Sequence, residues 1–361
     1  MLVKMTLKIL YKDCALAGIL LGLVGESLCT ILLASLLPSV CSAVEPSQGH
    51  TAYTDARLYL DVLWIRKRDQ LNGYTAGSVK QGSQNGDGES PIWSILSVSA
   101  TTGDWNIVVD QGFSPRVSPD GHRIAYRQNE AAFACSIDNP QDESRLGDHN
   151  WGPICWSPDS KSVVLGVRQL TGNGEWRLRN LLVPVGDQAP SAIAIGSDLD
   201  IEDWSNSEPP WVAVTGNSSS QGHQLALVAK DCKEVKLITS DGVNVHPRFS
   251  PDGQSIAFVN QKGGIVSALI YDRRTGTIED LYRPDSNMFV DAICWSPSGR
   301  EIAMLMVAAR GQLKGQQQEE ISLSKRERRI VVLDRTTKAT RTVSLGDADI
   351  NIIDIGSVDW R

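Results

Sequence analysis

The chain has 361 residues, 41% apolar and 21% charged, a foldable globular composition with room for two average domains or one large all-β domain. Its 35 Lys and Arg against 42 Asp and Glu give a net charge of −7, which argues against a dedicated nucleic-acid or anionic-membrane binder. Five scattered histidines (His50, His122, His149, His223 and His246) leave little for a metal hydrolase, whereas 31 Gly and 16 Pro suit short strands joined by tight turns.

The first 43 residues read differently from the rest. Lys4, Lys8 and Lys12 precede an apolar run from Cys14 to Gly25; Glu26 interrupts it, and a second run from Leu28 to Val40 ends in Cys41-Ser42-Ala43. A basic start, an apolar centre and a small-residue end predict an export signal over 1–43, then a short linker over 44–56. The expected location is therefore the periplasm or the exterior. The alternative is an uncleaved membrane anchor, because the combined apolar length can span a bilayer. Beyond the leader stand Cys135, Cys155, Cys232 and Cys294, with no CxxC pair, so zinc ribbons and thioredoxin-type motifs are excluded. All four sit in strand-like text and are expected as buried free thiols.

A repeat then governs the chain. PRVSPDGHRIAY (115–126), ICWSPDSKSVVL (154–165), PRFSPDGQSIAF (247–258) and ICWSPSGREIAM (293–304) align without gaps, and EDWSNSEPPWVA (202–213) keeps the register. The anchors Val117, Trp156, Trp204, Phe249 and Trp295 lie 39 to 48 residues apart, a period typical of repeat architectures. Within a repeat an apolar strand ends at the anchor and Ser-Pro-Asp-Gly makes a tight turn. Pro pre-sets φ, Asp bonds its own backbone, and Gly takes a positive φ. An apolar triplet starts the next strand, and two more strand-like runs follow. Four antiparallel strands in about 45 residues make a propeller blade.

An aromatic followed by Ser-Pro-Asp-Gly resembles the TolB-type (WD-like) propeller repeat, over nearly all of 57–361. Only the propeller portion of TolB is matched, since the α/β domain that precedes it there has no room between Val44 and Arg57. The resemblance implies binding of protein partners, including extended peptides at the channel. Blade count follows from the two ends of the repeat region. Gly356 to Arg361 reads as an inner strand finishing on Trp360, while Arg57 to Ile65 reads as a second strand without a first. Together they predict an all-β, six-bladed propeller closed by a composite blade, with boundaries near 113, 152, 198, 243 and 291.

Candidate sites follow from strand direction. The residues just before the anchors read Asp359, Arg116, Cys155, Asp203, Arg248 and Cys294 around the ring, a series that repeats twice. Either the four charges form a collar that grips a ligand or peptide end, or Asp359–Arg116 and Asp203–Arg248 are inter-blade salt bridges. Two long loops, Lys67 to Ser90 and Gly311 to Arg329, rise from one face at the closure seam. The second carries Lys325, Arg326, Arg328 and Arg329, a basic cluster able to steer an acidic partner. Acidic residues cluster at two inner-strand starts: Asp198, Asp200, Glu202 and Asp203, and Asp347, Asp349 and Asp354. They could hold calcium, although solvated turns are the commoner use of such residues. No nucleophile elbow, HExxH, phosphate loop or Rossmann glycine pattern is present. The expectation is a non-catalytic scaffold without a cofactor, binding an envelope or secreted protein or peptide. The alternative is a propeller lyase or hydrolase acting on polysaccharide or peptide, seeded by His149 and His246.

Overall fold

The computed structural model describes residues 56–65, 92–170, 172–174, 176–186, 193–195, 199–214, 223–229, 232–285, 287–308, 327–345 and 351–360. The leader and the linker to residue 55 lie outside them. So do Lys325 and Arg326, Asp198, Asp347 and Asp349, and nearly all of both long loops.

Every innermost strand ends on the anchor read from the repeat. The six are β4 (Phe113–Val117), β8 (Asn150–Trp156), β12 (Asp200–Trp204), β16 (Val243–Phe249), β20 (Met288–Trp295) and β24 (Asn351–Trp360). The first five open four-stranded antiparallel sheets that run outward in chain order, through β7 (Glu143–Asp148), β11 (Ile193–Ile195), β15 (Val235–Leu237), β19 (Ile278–Tyr282) and β23 (Thr340–Val343). The sixth sheet joins β24 to β1 (Arg57–Ile65), β2 (Ile92–Ser99) and β3 (Trp105–Asp110). Leu58 pairs with Trp360, Tyr59 with Asp359 and Leu60 with Val358, so the composite blade forms in the expected register. Inner strands of neighbouring blades touch all the way round, β24 to β4, β8, β12, β16, β20 and back to β24. The ring is closed.

The turns behave as their chemistry requires. Gly121 at φ +77° donates its N–H to the Ser118 carbonyl at 2.8 Å, while the Ser118 hydroxyl donates to Asp120 and accepts the Arg123 N–H at 2.9 Å. Ser250-Pro251-Asp252-Gly253 repeats these bonds. Serine and backbone N–H donors hold the Asp159 and Asp252 carboxyls below the ordinary carboxylate range. Alternating apolar residues fill the spaces between blades. The largest such cluster joins Leu58, Leu60, Val358 and Trp360 of the composite blade to Ala303, Leu305 and Val332 of the blade before it.

Cys135, Cys155 and Cys294 are buried and form no disulfide. Cys232 departs from the expectation: it is half-buried in the turn after β14 (Leu225–Val228), at φ +58°.

Candidate functional site

One feature is shared by all six blades and is invisible in the repeat alignment. Each innermost strand carries an extra residue against its partner strand. Ile201 and Asp203 face the adjacent residues Ala213 and Val212, leaving Glu202 over. The same one-residue shift falls between Phe113 and Arg116, Val245 and Arg248, and Val290 and Ala292, and at Gly356 opposite Asp61 and Val62, and a two-residue shift falls between Asn150 and Ile154. A bulge re-aims side chains and bends the strand. On the inner strands of four blades the shift falls at Ser114, Glu202, His246 and Asp291. Ser114 and His246 hold φ of +55° and +53°, a costly left-handed backbone for residues with a side chain. At the closure bulge, a Cβ on Gly356 would lie 2.7 Å from the Asp61 carboxylate, so that position has room only for glycine.

The channel charges are arranged differently from the expected bridges. Asp359 accepts the Val117 N–H at 2.7 Å, and Asp203 accepts the Phe249 N–H at 2.8 Å. Each aspartate therefore caps the anchor amide of the next blade, which points to the open inner edge of its sheet. One interface further on, the Trp156 and Trp295 indoles donate to the Arg116 and Arg248 carbonyls at 2.8 and 2.9 Å. The twofold repetition of Asp-Arg-Cys is thus a repeated pattern of backbone capping. The carboxylate partner of Arg248 is Glu202, at 3.3 Å, and the same Nη1 also reaches the Pro247 carbonyl at 2.7 Å. Asp61 completes the set by accepting the Ser114 N–H at 3.0 Å and the Ser357 hydroxyl at 2.7 Å.

These placements test the salt-bridge reading directly. Asp359→Ala leaves a buried amide unpaired and is expected to cost about 1.5–3 kcal/mol. A double-mutant cycle with Arg116→Ala should give a coupling energy below about 1 kcal/mol. A coupling of about 3 kcal/mol in urea unfolding would restore the bridge.

Burial reshapes the ionisable groups here. Glu202 is raised to about 8, first by desolvation; Arg116 opposes the shift, and Asp200 and Asp203 add to it. The Arg248 contact does not reverse this direction, because its Nη1 is shared with carbonyls. His246 has an exposed side chain yet is ringed by protein, and desolvation followed by the Arg116 charge lowers it to about 4. Arg127, over the Phe113 ring and donating to the Ser114 hydroxyl at 2.8 Å, is lowered to about 10 by burial and then by Arg116. Burial pushes the Cys155 thiol well up, with Asp203 and Glu202 adding to it.

The basic loop cluster is placed only in part. Arg328 belongs to β22 (Arg328–Asp334), and its side chain is 7% exposed. It donates to the Ile355 carbonyl at 2.6 Å and to Asp291 at 3.4 Å, which ties the last blade to the composite one. It is therefore committed within the fold and unavailable to steer a partner. Arg329, the next residue on the pleat, points outward near Glu327. Of the acidic cluster, Asp200, Glu202 and Asp203 share β12, and no group of three His, Cys, Asp or Glu among the described residues is placed to hold a metal. His149 is exposed beside Glu130 at 3.4 Å.

Six four-stranded blades around a charged channel, closed by strands from both ends of the repeat region, define a six-bladed β-propeller. Among solved structures the chain is similar to TolB from Acinetobacter baumannii, at 15% identity over 84% of this chain and 66% of that one, with a TM-score of 0.60. A TolB-assigned protein of Agrobacterium tumefaciens matches at 16% identity over 67% and 84% of the two chains, TM-score 0.52. An oligogalacturonate lyase in complex with manganese aligns more loosely, at 11% identity and TM-score 0.47. The fold is that of the TolB-type propellers. No protein-family model and no curated protein matches the sequence.

Proposed function

We propose that this protein is a non-catalytic, TolB-like propeller scaffold that binds an extended peptide or protein partner at its channel, in the periplasm or outside the cell. The observation that carries this reading is the bulge on all six inner strands, which at four of them sets a polar or charged residue (Ser114, Glu202, His246, Asp291) out of the ladder, at the cost of left-handed backbone at Ser114 and His246. A structural ring has no need of that strain. The mixture of Arg, Glu, His and Ser gives hydrogen-bonding capacity of both kinds, which suits a peptide backbone and its ends. The basic, then apolar leader supports the compartment.

The test is retention of a partner from envelope extract. Wild-type protein is expected to hold one, a Glu202→Gln/His246→Asn variant to release it, and an Asp120→Ala variant in a turn on the opposite face to keep it. Loss with the turn variant alone would reverse the face. A stoichiometric transition metal in the purified protein would favour the lyase or hydrolase reading.

A further inference from the structure

Arg116 differs from the other channel cations in how little it bonds. A guanidinium has five N–H donors. The hydrogen bond that Arg116 makes is one from Nη1 to the carbonyl of its own neighbour Pro115, at 3.3 Å; its buried Nε has no partner, as in Arg127, Arg248 and Arg328, so it is the terminal nitrogens of Arg116 that are left unfilled. Arg248 is occupied by Glu202 and two carbonyls, Arg127 by Ser114, and Arg328 by Ile355 and Asp291. The aspartates of the region have other partners: Asp359, Asp203 and Asp61 each accept a backbone N–H, and the carboxyl on which the Arg116 charge bears is Glu202. Its position is central as well. Its charge bears on Cys155, Glu202 and His246, which lie on the next three blades round the ring, so the guanidinium reaches in towards the axis.

We propose that Arg116 is a carboxylate-binding residue at the waist of the channel, and that the group it takes is the C-terminal carboxylate of a peptide. A planar carboxylate accepts two parallel N–H bonds from one guanidinium fork, here from donors the protein leaves unfilled. The surroundings select a singly charged anion. Asp203 and Asp359 lie in the same ring of inner strands, and a phosphate dianion would meet roughly twice their repulsion. Glu202 is held largely protonated at neutral pH, so it opposes a carboxylate little and can donate to it. The peptide part of this assignment rests on the proposed function; the carboxylate part does not.

Two measurements on the wild-type protein separate them. In the first, the Arg116 Nε–H resonance is followed while acetate, chloride or inorganic phosphate is added. Saturable movement with acetate is expected, with chloride at least tenfold weaker and phosphate no stronger. In the second, N-terminally immobilised tetrapeptides are compared as free acids and C-terminal amides, with an expected preference of tenfold or more for the acid. Arg116→Gln should erase that preference, and Arg116→Lys should restore part of it. An acetate response without capture of any peptide would establish the carboxylate site and overturn the peptide reading. Equal capture of acid and amide with no acetate response would overturn the carboxylate site and leave the channel reading standing. Neither response, or a stronger one to phosphate, would overturn the proposal.

Discussion

Deletion of Ser357–Arg361 is expected to abolish the cooperative unfolding of the whole ring. The deleted residues carry Val358 and Trp360, each 1% exposed, into the largest core cluster. Loss of a fully buried Trp alone costs about 3–5 kcal/mol. The deletion also removes the ladder partners of Leu58, Tyr59, Leu60 and Asp61, the Asp359 cap on Val117 and the Ser357 bond to Asp61. Together these rival the 5–15 kcal/mol that stabilises a typical domain. The composite blade would keep only the Asn351–Gly356 half of its inner strand, leaving β1 bare from Leu58 to Asp61, and neighbouring blades would lose part of their packing surface. Circular dichroism and denaturant unfolding should show a broad, early transition with a raised tendency to associate through the exposed edge. A truncated protein that melts within a degree or two of full length would show that the closure contributes nothing.

The blade count and closure were legible because they rest on short-range chemistry that repeats. Ser-Pro-Asp-Gly after an aromatic marks one turn of every blade, and the split of the composite blade follows from an anchor without a turn at Trp360 and a second strand without a first at Arg57. The site was less legible, for a physical reason. Bulges are register shifts between two strands, and no residue pattern in one strand announces them. Pro115, Pro153 and Pro247, each in or beside an inner-strand bulge, were a faint signal, since proline within a strand favours bulges or edges. That signal lay inside the repeat but was read as part of the strand. The charge series Asp-Arg-Cys is visible in the sequence, but it points only to side chain against side chain or side chain against ligand. The structure spends Asp203 and Asp359 on backbone amides that only the fold exposes, and gives Arg248 to Glu202, one residue off the series. Arg328 shows a similar limit. A run of basic residues looks like a solvated patch until strand alternation sends one member inward and the next outward.

The largest pH effect is expected from Glu202. Its carboxyl lies near 8 in the folded protein against an ordinary value of 4.5, so between those values the folded state holds a proton that the unfolded state has lost. Stability from this group is fully present below about pH 4.5 and falls as pH rises, by about 1.4 kcal/mol per unit at most, until it levels off above about pH 8. His246 acts in the opposite direction. Lowered from 6.5 to about 4, it contributes stability above pH 6.5 that is lost as pH falls through 4, and its exposure to channel water makes that slope shallower. The two slopes oppose each other between about pH 4.5 and 6.5, where the wild-type curve should fall only gently. From pH 6.5 to 8 it should fall. The Glu202→Gln variant keeps an oxygen acceptor for Arg248 but cannot ionise among Asp200 and Asp203, so it should lose the alkaline fall and keep the acid one. Urea unfolding at pH 5, 6, 7 and 8 reads this as a difference between variant and wild type that grows steadily with pH, whatever its offset. A difference that stays constant from pH 5 to pH 8 would mean that Glu202 is ionised in the folded channel at neutral pH, held by Arg116 and Arg248, and the carboxyl would then be a fixed charge instead of a proton donor.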